Sequence, residues 1–508
     1  MKRFDLRRFF FDRDVMSLMG LGLLVKPLGL VTQILLARWF GADERLDAYL
    51  LALFLLTFGD GTLSRVFKGA LVPHLIQQMR RLEALAYARY QNGVVGLFVG
   101  GGAAWLVLLA VLAGPVVALV GPDLPEATQD LTVRMLLAMA LPGLFMVANN
   151  LSIAVLQMHQ VFRMAGAMPV LNAVCILGAL VLWHDTLGIW SMPVGFAASH
   201  VLQWPLVHGR ALIARAWRPL RPSLGGADLR MIRGLVGFMA AAELMLTLNL
   251  FLDKWFALGL EAGSVSSLHY AYTITNTVLI LFATSLVTVM FPRMSAAIAA
   301  GDMEGCSAAI RTNLGRAAHL VVPAALMAVA ASPEIVRVLF QRGEFDALDA
   351  VRTSGAMTMY VVGLPALIIN LLVARIFHSL QLLRDKMWLA VQYLVTNFVF
   401  NWLLVGPMQV KGLALASSIA INLHLALSLW ILHRRRSGLT TGRFAGIAVT
   451  SYALGALTWL VYWLLPVDAW LSPLGVDSLA GALAACGLKA AVIAGIYWPL
   501  LLIWRRWA

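Results

Sequence analysis

Long apolar runs alternate with short charged or Gly/Pro-rich stretches along all 508 residues of the chain. Most runs are long enough to cross a hydrocarbon core, which takes about 20 helical residues. Fourteen spans are expected, at 16–37, 46–67, 93–118, 135–157, 165–183, 188–208, 234–255, 268–291, 314–332, 353–374, 387–405, 412–432, 444–465 and 479–504. No stretch alternates with period two as a membrane barrel strand would, so the expected fold is an all-α polytopic membrane protein. Composition agrees: 61% hydrophobic residues, 13% charged residues and a mean hydropathy of +0.82 exclude a soluble fold of this length.

The pattern repeats. Leu36-Ala37-Arg38-Trp39-Phe40 closes one apolar run and Leu252-Asp253-Lys254-Trp255-Phe256 closes another about 216 residues later. At nearly the same offset, Val72-Pro73 is echoed by Phe291-Pro292, Gly114-Pro115-Val116-Val117 by Ser332-Pro333-Glu334-Ile335, and Leu141-Pro142-Gly143 by Leu364-Pro365-Ala366. Two copies of one membrane unit point to a transporter, because a cleft between similar bundles can open to either side of a bilayer. Each copy has six spans, an even number, so both share one orientation. The expected organisation is an N-lobe at 1–210, a linker at 211–233 rich in Arg, Pro and Gly, a C-lobe at 234–436, and two added spans at 437–508.

The net charge of +14 is distributed for a membrane rather than for nucleic acid. Alternating the loops between two sides puts 27 of the 39 Lys and Arg on one side and 7 on the other, with 5 inside spans. The rich side is cytoplasmic by the positive-inside rule, and both termini lie there. Cys175 and Cys486 fall in spans and Cys306 in a loop, which suggests neither a disulfide nor a metal site. There is no Walker A loop, H-E-x-x-H, G-x-S-x-G or paired Cys ligands, so no catalytic residue, cofactor or metal is expected, and an ion gradient or membrane potential is the expected driver.

The chain resembles the MurJ/MviN lipid-linked-saccharide flippases of the multidrug/oligosaccharidyl-lipid/polysaccharide superfamily. The residues that carry the resemblance are Leu28-Gly29, Ala37-Arg38-Trp39-Phe40-Gly41-Ala42, Asp47-Ala48, Val72-Pro73, Gly263-Ser264-Val265-Ser266, Tyr270-Ala271, Phe291-Pro292 and Leu339-Phe340-Gln341-Arg342-Gly343-Glu344-Phe345. It implies movement of an undecaprenyl-pyrophosphate-linked saccharide from the cytoplasmic to the periplasmic leaflet of a bacterial inner membrane. Membrane lipids and envelope-synthesis enzymes are the other implied partners. Such proteins line their cavity with cations. Lys26 keeps the first; Thr32, Thr273 and Gly59-Asp60-Gly61 stand where three others are usual. This favours an exopolysaccharide or O-antigen unit over peptidoglycan lipid II, which is the alternative. A drug/cation antiporter and a non-transporting scaffold are alternatives of other classes, the first disfavoured by the two added spans and Lys26.

Lys26 is the strongest site candidate on physical grounds. It lies about 15 Å from either end of its span, beyond the reach of a snorkelling stem, at a depth where a charge costs about 2.5–3.5 kcal/mol and faces a cavity or a partner. Glu243 lies at nearly the same depth on the repeat-equivalent span, so a Lys26–Glu243 pair across the cleft is one expectation; a Glu243 hydrogen-bonded within its own lobe is the other. Asp60 is either a cavity acid or the mark of a break in span 2. Arg65 and Lys68 read as a cytoplasmic rim, or as first receivers of phosphate. Asp47 is a further cavity candidate. Asp253 and Lys254 read as a solvated couple at a span end, with Asp60, Glu243 and Asp253 the acids available for coupling. Asn149, Asn150, Asn370, Asn397 and Asn401 read as interhelical hydrogen-bond glue. Lys489, deep in the last span, reads equally as a cavity charge or a snorkelling residue.

Overall fold

A computed structural model describes residues 13–277, 303–379, 382–435, 441–471 and 478–507. Helices make up the regular structure of the described residues, and no strand occurs among them. Eight helical stretches there are long and apolar enough to cross a membrane, nine if a bent pair counts as one. Two of the eight are each two helices joined by a sharp reversal, and most of the expected span 268–291 lies outside the described residues. The chain divides into two compact units between Phe251 and Leu252.

Unit 1 opens with α1 (Arg13–Phe40) and α2 (Glu44–Val66). The turn between them follows from its residues. Gly41 takes φ +59, available to a residue without a Cβ, and its N–H returns to the Ala37 carbonyl at 2.8 Å. Asp43 then caps α2 by accepting from the Leu46 N–H at 2.9 Å. The helical chain does not stop at Val72-Pro73, although the apolar run does. Pro73 lacks an N–H and would crowd the carbonyl four residues back, and a π-helical segment, Phe67–Leu71, widens the ladder ahead of it. The chain stays helical into α3 (Val72–Arg81). There follow α4 (Ala84–Val111), α5 (Ala113–Val120), α6 (Glu126–Met158), α7 (Arg163–Leu187), α8 (Ser191–Ile213) and α9 (Gly226–Leu258), the last running across the unit boundary. Helix α1 packs on α7, α7 on α8, α8 on α6, and α6 on both α2 and α4. At Gly195 a Cβ would fall 2.8 Å from the Ile176 Cα, so only glycine permits the close approach of α8 to α7.

Unit 2 holds α10 (264–277), α11 (Met303–Ala330), α12 (Ser332–Phe340), α13 (Ala347–Ser379), α14 (Leu383–Arg434), α15 (Thr441–Leu464), α16 (Val467–Leu471) and α17 (Leu479–Trp507). Gln409, at φ 48 and ψ −131, breaks α14 in two, and Gly412 leaves no room for a Cβ against the Leu404 carbonyl at that reversal. Helices α13 and α14 pack together, and α11 touches α13, α15 and α17. Two stretches noted in the sequence form one aromatic core. Tyr270 meets Phe340 and Phe345 with ring centroids 4.9 and 5.6 Å away, and Gly343, at φ +65, turns the chain between the two phenylalanines.

The repeat is written in the backbone. Leu112, at φ −99 and ψ 15, separates α4 from α5; Ala331, at φ −100 and ψ 11, separates α11 from α12, which bends away by 69°. Each break is followed by the proline of the matched motif, Pro115 or Pro333, tolerated in a first helical turn where its missing N–H has no role. The copies differ in chemistry. Where the first has Val116, the second has Glu334, whose Oε1 lies 2.7 Å from Lys489 Nζ of α17. The same ammonium donates to the Ala330 carbonyl at 2.9 Å, at the C-terminal end of α11. Lys489 is thus a buried structural cation, neither of its two expected roles: it neutralises an acid, caps a broken helix and fastens the last helix to the repeat.

Removing one partner of a buried pair strands the other charge and costs about 3–5 kcal/mol. Lys489→Met is expected to lower the melting temperature of the detergent-purified protein by several degrees, and Lys489→Met with Glu334→Leu to restore most of the loss.

Candidate functional site

Two polar clusters lie among apolar helices, one in each unit. In unit 1 the cluster is built on α2, which runs unbroken through Gly59-Asp60-Gly61; the break in span 2 is not there. The two glycines have other work. A Cβ at 59 would overlap the Trp105 indole, and one at 61 would come within 3.2 Å of Arg65 Nη1, so the glycines clear space for a ring on one side and a guanidinium on the other. Asp60 is buried and fully engaged, accepting from Asn150 Nδ2 of α6 at 2.8 Å and from Ser64 Oγ at 3.3 Å. It is a structural acid that joins α2 to α6.

Arg65 is the centre of the cluster. Its Nε donates to Glu243 Oε2 of α9 at 2.7 Å and its Nη2 to Thr247 Oγ1 at 2.6 Å. Thr247 donates to the Glu243 carbonyl at 2.8 Å and lies 3.1 Å from Thr62 Oγ1, so its hydroxyl is held by its own helix and by α2. The ion pair retains access: the side chains are 45% and 18% exposed for Arg65 and Glu243. Its free Nη1 leaves a planar donor fork for an oxyanion.

This arrangement corrects the expected pairing. Glu243 meets Arg65, and Lys26 is exposed on α1 with no ion-pair or hydrogen-bond partner among the described residues. The repeat specifies how deep Lys26 and Glu243 sit, but a contact also depends on the direction each side chain takes around its helix. The Arg65 guanidinium lies against Gly61 and is tied to α9. Lys68 stays exposed. Thr32 is buried and spends its hydroxyl on the Leu28 carbonyl at 2.9 Å, while Thr273 is half-buried and its carbonyl accepts from Thr277. Asp47 is buried in the first turn of α2, one turn from the Asp43 cap.

In unit 2, Asp253 is not part of a solvated couple. Its Oδ1 accepts from Asn397 Nδ2 at 2.8 Å and Asn401 Nδ2 at 2.9 Å, and its Oδ2 accepts from Ser417 Oγ at 2.7 Å. The two asparagines stand one turn apart on the first half of α14 and Ser417 on the second half, so the reversal at Gln409 brings the three onto one carboxylate. Lys254, the next residue, is half-buried. The two asparagines bond between helices, as read from the sequence, and in doing so form the walls of a polar cage; their i, i+4 spacing in an apolar run was a visible signal. Ser417 gave none. The side chains offer a carboxylate, two amides and a hydroxyl, a set with capacity for a hard cation or a proton. No group of three or more His, Cys, Asp or Glu suited to a metal ion occurs among the described residues.

The sequence matches a family model described as lipid II flippase MurJ over residues 36–478. The chain belongs to the MurJ family. Similar relatives include the lipid II flippase MurJ of Burkholderia cenocepacia, 25% identical across 96% of this chain and 97% of that one. A probable lipid II flippase MurJ of Vibrio cholerae is 26% identical across 80% of this chain and 79% of that one. A solved structure of lipid II flippase MurJ in an inward closed conformation shares the fold with a TM-score of 0.78 at 18% identity, covering 96% of this chain and all of that one. An inward-facing multidrug MATE transporter of the MOP superfamily follows at TM-score 0.65 and 12% identity, covering 83% and 98%. MurJ proteins are a family of transporters, and the multi-pass membrane architecture agrees with membership. The lipid II name borne by these relatives runs against the expected preference for an exopolysaccharide or O-antigen unit.

Because Arg65 and Glu243 touch, their effects are expected to be non-additive. In a cycle of Arg65→Ala, Glu243→Ala and the double variant, read by melting temperature, the double variant should be no worse than Glu243→Ala alone, which leaves the Arg65 guanidinium without its acid.

Proposed function

We propose that the chain is a flippase that moves a polyprenyl-pyrophosphate-linked saccharide across the inner membrane by alternating access, with peptidoglycan lipid II as the substrate. The observation that carries this reading is Arg65, a guanidinium within a membrane span, anchored on two sides by Glu243 and Thr247 and still half accessible. A pyrophosphate is the ligand such a fork suits, because two donors aligned in one plane can meet two phosphate oxygens. Three cations usual in the family are replaced at Thr32, Thr273 and Gly59-Asp60-Gly61, but Arg65 supplies a cation in span 2, one turn beyond those glycines. The names of the relatives support the same substrate. Lys26, exposed and unpaired among the described residues, is a second cation for the same head group.

Coupling belongs to Asp253. Rotating both asparagine amides would present their oxygens in place of their nitrogens. Asp253, Asn397, Asn401 and Ser417 would then form an all-oxygen set for a monovalent cation, and protonation of the carboxylate would satisfy the same cage without one. Asp60, with both oxygens bonded, and Glu243, held by Arg65, are less free to exchange a cation.

Expression in cells depleted of their own lipid II flippase tests the reading. The wild-type chain should restore growth, Arg65→Ala should fail at normal membrane abundance, and Arg65→Lys should rescue in part, since charge is kept and the fork is lost. Asp253→Asn should insert normally and transport at least about tenfold more slowly, without the ion dependence of the parent. Failure of the wild-type chain, with support of polysaccharide export, would return the substrate to the other saccharide class.

A further inference from the structure

Apart from the Arg65 cluster, unit 1 contains a cavity of about 340 Å³ at the end where α3, α6 and α8 finish and α4 begins. Leu82, Tyr87, Gln91, His159, Arg215 and Arg218 are among its lining residues, and none of the lining residues carries a carboxylate. Neither guanidinium has a hydrogen-bond or ion-pair partner among the described residues. The Tyr87 hydroxyl is buried and likewise has none, although the residue is only 6% exposed. Buried hydroxyls are normally paired, so an acceptor is missing from this wall.

The backbone that bears the two arginines is held in place, with Arg215 exposed and Arg218 half-buried. Arg215 adopts φ +54, an unusual conformation for a residue with a Cβ, and the segment that bears it is laced to α4. Gln91 Nε2 donates to the Ala216 carbonyl at 2.8 Å, Asn92 Nδ2 donates to the Arg218 and Leu220 carbonyls at 2.8 and 2.9 Å, and the Ser223 N–H donates to the Arg89 carbonyl at 3.1 Å. An ordered backbone lowers the cost of anion binding, because part of the conformational entropy of the arginines is lost on folding rather than on association. His159, which follows the last residue of α6, is 3.4 Å from Gln91 Oε1, and burial holds its imidazole below the usual value.

The surroundings specify what bears the anion. Leu82, Leu85 and Ile213, on the elements that form the cavity, are 38%, 58% and 77% exposed. A soluble anion has no use for exposed leucine and isoleucine beside its site, whereas a phospholipid places acyl chains next to its phosphate. Basic pockets at the ends of membrane helices bind anionic headgroups for this reason. The volume lies at the small end for ligand pockets, about 300–1,000 Å³, enough for a phosphorylated headgroup without an attached saccharide chain.

We propose that this pocket binds the phosphate of an anionic membrane phospholipid through Arg215 and Arg218, with the Tyr87 hydroxyl as a third donor. The site shares no residue with the transport cluster and does not depend on the proposed substrate. The test is native mass spectrometry of the full-length protein in neutral detergent, titrated with phosphatidylglycerol or with zwitterionic phosphatidylethanolamine. Arg215→Gln with Arg218→Gln should weaken phosphatidylglycerol binding at least about tenfold and leave phosphatidylethanolamine unchanged. Arg221→Gln, an exposed arginine of the same segment outside the lining, should change it less than about twofold. Tyr87→Phe, which leaves the packing ring in place, should weaken it by a few-fold at an unchanged melting temperature. Undiminished binding by the double variant would overturn the proposal. So would an equal loss from Arg221→Gln, which would mean diffuse attraction, or displacement of the lipid by millimolar inorganic phosphate, which would make this a free-phosphate site.

Discussion

A charge or a strong hydrogen-bonding group placed among membrane helices has no water to satisfy it, and the polar interior of this protein is organised by that constraint. Asp60 finds Asn150 and Ser64, Asp253 finds two asparagines and a serine, Lys489 finds Glu334 and a helix-end carbonyl, and Arg65 finds Glu243 and Thr247. Each solution ties elements far apart in sequence, so the groups most costly to bury also lock the packing. They differ in what they leave over. Asp60 and Lys489 are buried with their bonding directed inward, which suits a structural part. Arg65 retains an accessible face, and Asp253 is surrounded by groups that can reverse their polarity, which suits parts that exchange a ligand.

The two copies share backbone and not chemistry. Leu112 and Ala331 take nearly the same φ and ψ ahead of matched prolines, yet Val116 and Glu334 occupy the equivalent places. Ala37 and Asp253 are likewise equivalent, both closing the first helix of their copy. Ala37 is fully buried, and the carboxylate at its counterpart is tolerated because α14 supplies three donors. Duplication supplied the frame, and substitution at a few positions distinguished the copies: the second has an oxygen-rich cage at Asp253 and an anchored C-terminal helix at Glu334. The added helices are part of the second unit through Lys489 and through packing of α15 and α17 on α11.

Hydropathy and the spacing of prolines and glycines determined much by themselves: the all-α membrane class, the position of most helices along the chain, the repeat, and the presence of ionisable groups at depths where they need partners. These features depend on the chain one residue at a time, since transfer to hydrocarbon and the backbone limits of Pro and Gly act locally. The tertiary structure alone decided the partners. Lys26 and Glu243 were equal in depth, but Glu243 turned toward Arg65; Asp253 looked solvated until the reversal at Gln409 delivered Asn397, Asn401 and Ser417; Lys489 had no assignment until the break at Ala331 set Glu334 and a free carbonyl before it. Sequence period gives depth along a helix, whereas a contact also requires the direction around it and the identity of the neighbouring helix, and both are set only when all the helices pack at once.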